Sequence, residues 1–167
     1  MFIPIKGPVL GSTVYKDGEL VAKDCVVTLP TVTLKTAEHS ALGTIELPML
    51  GQIDAMEASV TKKGYDEALA NLAMPEAMNL EFRFVQQVIS SDNTSKEEGC
   101  KAFMRAVPKT LPGSDLEPGS VGDTQITFAV TRYRLVVGGK EVCLIDQLNG
   151  IQRINGTDYA KNIQSLL

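Results

Sequence analysis

Few side chains in this sequence could do chemistry. Its 167 residues include one histidine, His39, and three cysteines, Cys25, Cys100 and Cys143. A cysteine or serine nucleophile would have to recruit that one imidazole, and nothing local places a partner beside it. Structural zinc needs four nitrogen or sulfur ligands at short paired spacing, and no Cys-x-x-Cys occurs. The three thiols therefore read as small buried apolar residues, and His39, between Glu38 and Ser40, as a surface or interface residue.

Carboxylates are no better placed. Asp66 and Glu67 are explained by the start of a helix, and Glu97 and Glu98 by a solvated turn. Arg132 and Arg134 lie two apart on a predicted strand; phosphate binding is conceivable, but ion pairs across the sheet face are the simpler use. No phosphate-cradling glycine loop, GxGxxG, HExxH or GxSxG is present. The expectation is a protein that is no enzyme, with no catalytic, cofactor-binding or metal-binding residue.

Composition narrows the class further. A net charge of −4 disfavours general nucleic-acid binding, and 5% aromatics without tryptophan disfavour a base-stacking or sugar-stacking platform. Apolar residues at 44% against 22% charged fit one folded domain over 1–167. The start, Met1-Phe2-Ile3-Pro4-Ile5-Lys6-Gly7-Pro8, is too short and too proline-broken to read as a signal peptide, and no run nears the roughly 20 apolar residues of a membrane span. Cytoplasmic synthesis is the expectation, which makes the tripeptides Asn93-Thr94-Ser95 and Asn155-Gly156-Thr157 accidental as glycosylation signals.

The elements that would position these residues are mostly strands. Period-two alternation predicts a mainly β chain, with a hairpin at Lys16-Asp17-Gly18, where Asp-Gly supplies positive φ. Cys25, Val27 and Leu29 alternate on one face, but beyond Pro30 the apolar residues become Val32 and Leu34, a one-residue shift of register that predicts one strand bulged at Leu29-Pro30-Thr31. Met56, Ala58 and Val60 mark a strand; Tyr65, Ala68, Leu69 and Leu72 fall at helical spacing and form the one convincing helix. Strands follow over 80–89, 100–107, 124–137 and 140–146, the last two joined at Gly138-Gly139. Ser90 to Glu98 reads as a polar turn. Three segments fit no element: an extended arm at about 36–50, a loop at about 108–123 and a tail at about 147–167.

With chemistry removed, the long extra segments of an acidic β protein point to an assembly subunit. Their apolar residues would be an aggregation hazard alone but can complete a sheet across subunits in a ring. Val26-Val27-Thr28-Leu29-Pro30-Thr31-Val32-Thr33-Leu34-Lys35, the passage from Met56 to Leu72, the hairpin from Tyr133 to Asp146 and the turn Arg153-Ile154-Asn155-Gly156-Thr157-Asp158 resemble the major tail tube protein of contractile-tailed phages and phage-tail-like bacteriocins.

The resemblance implies a β-sandwich or barrel with one flanking helix, six copies per ring, and rings stacked into a tube. That tube would sit inside a sheath, house a tape-measure protein and, in a phage, pass DNA without specific binding. Baseplate and terminator proteins would meet its ends, and the tail would be put together in the host cytoplasm. Leu42, Ile45, Leu47, Met49 and Leu50 of the arm, and Ile163, Leu166 and Leu167 of the tail, would then be subunit-interface residues, unless the arm folds back on its own domain. Competing readings are a baseplate or terminator adaptor of the same β architecture, a secreted ring protein of a type VI secretion system, and an enzyme of unrecognised type.

Overall fold

The computed structural model describes residues 1–167. In chain order the elements are β1 (Ile5–Lys16), β2 (Glu19–Lys23), β3 (Val26–Thr28), β4 (Leu34–Ala41), β5 (Gly43–Ile53), β6 (Met56–Lys63), α1 (Glu67–Leu72), β7 (Met78–Ile89), β8 (Ser95–Pro108), β9 (Asp123–Val137), β10 (Lys140–Asp146), β11 (Ile151–Ile154), β12 (Thr157–Asp158) and α2 (Lys161–Leu166). Ten strands form one antiparallel sheet, ordered β12-β11-β10-β9-β8-β7-β1-β2, with β6 on β9 and β3 on β6; β4 and β5 stand apart as a two-stranded ribbon.

The longest strand, β9, organises the sheet. One edge of it pairs with β8, while the other pairs first with β6, from Asp123 to Val130, and then with β10, from Arg132 to Val137. The register against β8 shifts between Arg105 and Ala106, so that Thr131 is the extra residue and the inward series passes from Val130 to Tyr133. Without that bulge, Tyr133 would face solvent and the arginines beside it the core.

One face of the sheet curls around a single core. Val14, Met56, Ala58, Val60, Leu80, Phe82, Ala102, Met104, Ile126, Phe128, Tyr133 and Ile145 meet there, at alternate positions along their strands. Helix α1 closes the core with Leu69 and Leu72, both 1% exposed. Asp66 caps it by accepting a hydrogen bond from the Ala68 amide. Lys62 pairs with the same carboxylate, and these contacts hold it below the usual aspartate range.

Several sequence expectations need revision. The strand expected to bulge at Pro30 ends at Thr28; the chain then leaves the sheet, with Leu29 and Val32 packed on the core, and β4 starts afresh at Leu34. The polar turn is confined to residues 90–94, because Ser95 already pairs with Ile89. Tyr65 precedes the helix and is exposed. The tail is not unstructured: it holds β11, β12 and the second short helix, α2. Residues 109–122 carry no strand or helix.

Candidate functional site

The residues that could have done covalent chemistry are scattered. His39 lies exposed on β4, paired in register with Ile45. Cys25 and Cys100 are buried, Cys143 is half-buried, and burial pushes all three thiols up, away from the reactive thiolate. Glu98 is engaged by Lys6 at 2.8 Å. No group of three or more His, Cys, Asp or Glu could hold a metal ion. Arg134 donates to Glu141 at 2.9 Å, and Arg153 to the other oxygen of that carboxylate at 2.7 Å. Arg132 stands 3.9 Å from Asp146. The strand arginines thus lie beside sheet-face carboxylates.

The arm is a β hairpin, with Leu42 between the paired Ala41 and Gly43. The register places Ala37, His39, Ala41, Ile45 and Leu47 on one face and Glu38, Ser40, Thr44 and Glu46 on the other. That is the pattern of strands half-buried on a core, yet Leu42, Ile45, Leu47 and Leu50 are exposed and only Met49 is partly covered. Glu38 faces Glu46 directly, a like-charge pair that does not favour the ribbon alone. An isolated two-stranded hairpin is marginal in water, and the chain leaves the apolar face of this one exposed.

The tail holds the base of the arm. The side chain of Gln152, itself 2% exposed, accepts from the Gly51 amide at 2.6 Å. Gln147 donates to the carbonyls of Ile53 and Asp54 at 3.2 and 3.3 Å. Gly51 adopts φ +77°, and a methyl group there would meet Ile163 Cδ1 at 3.3 Å, so the absence of a side chain lets α2 sit against the strand. The structure therefore brings Ile163 to the foot of the arm. Leu166 and Leu167 stay almost fully exposed beyond it.

A further apolar surface escaped the sequence reading. Phe2, Ile3, Ile5, Val9 and Leu10 are exposed, and β2 pairs with β1 only from Thr13 onward, which leaves one backbone edge of the first half of β1 open. Apolar residues among Pro4 and Pro8 were the available signal, but prolines there read as a strand-breaking start. An open edge and an uncovered ribbon on one chain are both groups that another strand or sheet can satisfy.

The comparisons with known proteins fit this geometry. The family model described as phage tail tube protein FII matches residues 9–167. The tail tube protein of Escherichia phage P2 is 30% identical over 67 residues, which is 40% of this chain and 39% of that one. Among solved structures, the sheath/tube terminator of the PVC extracellular contractile injection system superposes with a TM-score of 0.54 at 14% identity, covering 77% of this chain and 95% of that one. The PVC sheath-tube complex gives 0.51 at 16% identity, with 77% and 90% covered. The tube-terminating cap of the anti-feeding prophage gives 0.52 at 16%, with 75% and 87% covered. These structural likenesses concern the fold; membership follows from the sequence model, which spans nearly the whole chain. The protein belongs to the phage tail tube FII family, a structural family of contractile tails and not a family of enzymes.

Proposed function

We propose that this chain is the repeating subunit of the inner tube of a contractile tail, assembling as hexameric rings that stack into a conduit inside the sheath. The observation that carries this reading is the amphipathic β4–β5 ribbon, whose apolar face, Ile45 and Leu47 above all, nothing in its own subunit covers. A ring or stacked neighbour supplies that cover, and burying such a side chain fully is worth roughly 1.5–3 kcal/mol. Ile163 at the foot of the arm, with the exposed Leu166 and Leu167 beyond it, extends the same contact.

In this assembly the sheath surrounds the tube, baseplate and terminator proteins meet its ends, and the tape-measure protein occupies its lumen. In a phage, DNA passes through without specific binding, in keeping with the chain's net charge of −4. The particle is a phage tail or a phage-tail-like bacteriocin put together in the bacterial cytoplasm. A second reading, a terminator that closes one end of the tube, draws support from the likeness to the PVC terminator fold. Negative-stain microscopy of the purified chain separates them. A tube subunit gives open-ended tubes of uniform width, a terminator stops at one closed ring, and a strict monomer at high concentration contradicts both.

A further inference from the structure

All five arginines of this acidic chain lie on one face of the large sheet, the face turned away from the core. Arg83 is on β7, Arg105 on β8, Arg132 and Arg134 on β9, and Arg153 on β11, and the register links them through Phe103 and Leu144 as same-face neighbours. Three of them are already engaged: Arg83 with Glu81 at 2.6 Å, and Arg134 and Arg153 with Glu141. The other two are less fully engaged: Arg105 has no carboxylate partner, and Arg132 has only a long contact. Arg105 donates only to the neutral Asn79 amide oxygen at 3.0 Å, and Arg132 is 3.9 Å from Asp146. That carboxylate is committed to the next turn, accepting from the amides of Leu148 and Asn149 and from the Asn149 side chain.

Arg105 and Arg132 are direct register partners, so two like charges face each other across adjacent strands. Such a pair is destabilising by itself and becomes favourable when an anion sits between. They line a cleft of about 620 Å³ that also holds Phe103, with exposed Leu148 at its margin. The cleft thus offers the forked cations of Arg105 and Arg132 beside an apolar patch; its wall also carries Arg134, paired with Glu141, and two carboxylates that already have arginine partners, Glu81 and Asp146.

The complementary piece is present on the same molecule. The loop at residues 109–122 carries Asp115, Leu116 and Glu117 in succession, all exposed, with Leu116 84% exposed. Neither carboxylate has a cationic partner: Lys109 is bound to Glu57, and Lys63 to Asp123. The loop's own concavity is lined by Gly64, Tyr65 and loop residues, and shares no residue with the arginine cleft. Two complementary patches at separate places on one chain make a head-to-tail contact, which propagates into a ring or filament and does not end at a dimer.

We propose that the Asp115-Leu116-Glu117 segment of one copy docks in the Arg105/Arg132 cleft of the next, the two carboxylates meeting the guanidinium groups while Leu116 packs toward Phe103 and Leu148. This rests on the self-assembly reading and names a contact within it, separate from the arm. The test is a charge exchange followed by sedimentation velocity and microscopy, with far-UV circular dichroism to show that each variant folds. Asp115→Arg with Glu117→Arg, and separately Arg105→Glu with Arg132→Glu, are each expected to reduce assembly at least tenfold in the concentration required. The chain carrying all four substitutions is expected to recover it.

Assembly of either pair variant at the wild-type concentration overturns the docking contact, as does a folded fourfold variant that stays dispersed. Should one pair variant fail to fold, Leu116→Asp takes its place, and it must weaken assembly for the contact to stand. A wild-type chain that never assembles overturns the tube reading itself, which distinguishes the two failures.

Discussion

Glu141 shows how single residues bind the outer face together. It takes Arg153 on one oxygen and Arg134 on the other, and these contacts hold its carboxyl below the ordinary glutamate value. A depressed carboxylate stabilises the fold above its unfolded pKa, and that contribution disappears as pH falls through the folded value. The arginines are 44% and 39% exposed, so solvent screens the pair and Glu141→Gln is expected to cost only about 0.5–1 kcal/mol at pH 7. Urea unfolding should show that difference at pH 7 and a shrinking one as pH falls below the ordinary glutamate value; a deficit that stays the same throughout would assign the effect to packing. The three thiols give a second check. With their pKa values raised by burial, they should react slowly with a disulfide reagent in the folded protein and all three quickly in guanidinium.

At the scale of elements, the decisive contact is the one between the tail and the foot of the arm. Gln152→Ala removes the buried acceptor of the Gly51 amide, an expected loss of about 1–3 kcal/mol, and should speed amide exchange in β5 more than in β7 or β8. Uniform acceleration across the sheet would mean that Gln152 supports the core and not the arm. The elements best foreshadowed by the sequence were those whose cues were local. Asp17-Gly18 and Gly138-Gly139 both hold paired positive φ angles, and the small residues Cys100, Ala102 and Ala106 alternate inward with Met104 as the pattern requires.

The arm was harder to read because its turn, Ala41-Leu42-Gly43, has no Asn-Gly or Asp-Gly, and because alanine and histidine mark its apolar face weakly on β4. β11 and β12, with four and two residues, are too short to display a period at all. Of the expected interface residues, Ile163 reaches the foot of the arm, a meeting across more than a hundred residues that no local spacing encodes. The arginine face was equally hidden, since it depends on the bulge at Thr131 and on strand pairing far apart in sequence.

The whole molecule is a self-contained core carrying parts that its own chain does not finish: a two-faced ribbon, an open edge on β1 and an acidic loop. On the proposed reading, copies of the same chain finish these parts, as stacked rings would. The measurement that tests this most directly is electron microscopy of the wild-type chain beside a Leu47→Asp, Met49→Asp variant, both shown to be folded. Losing two apolar contacts of roughly 1.5–3 kcal/mol each, and adding charges where a neighbour should pack, is expected to leave tubes of uniform width in the wild type and dispersed, folded subunits in the variant. Tubes of the same width and abundance in both would contradict the account.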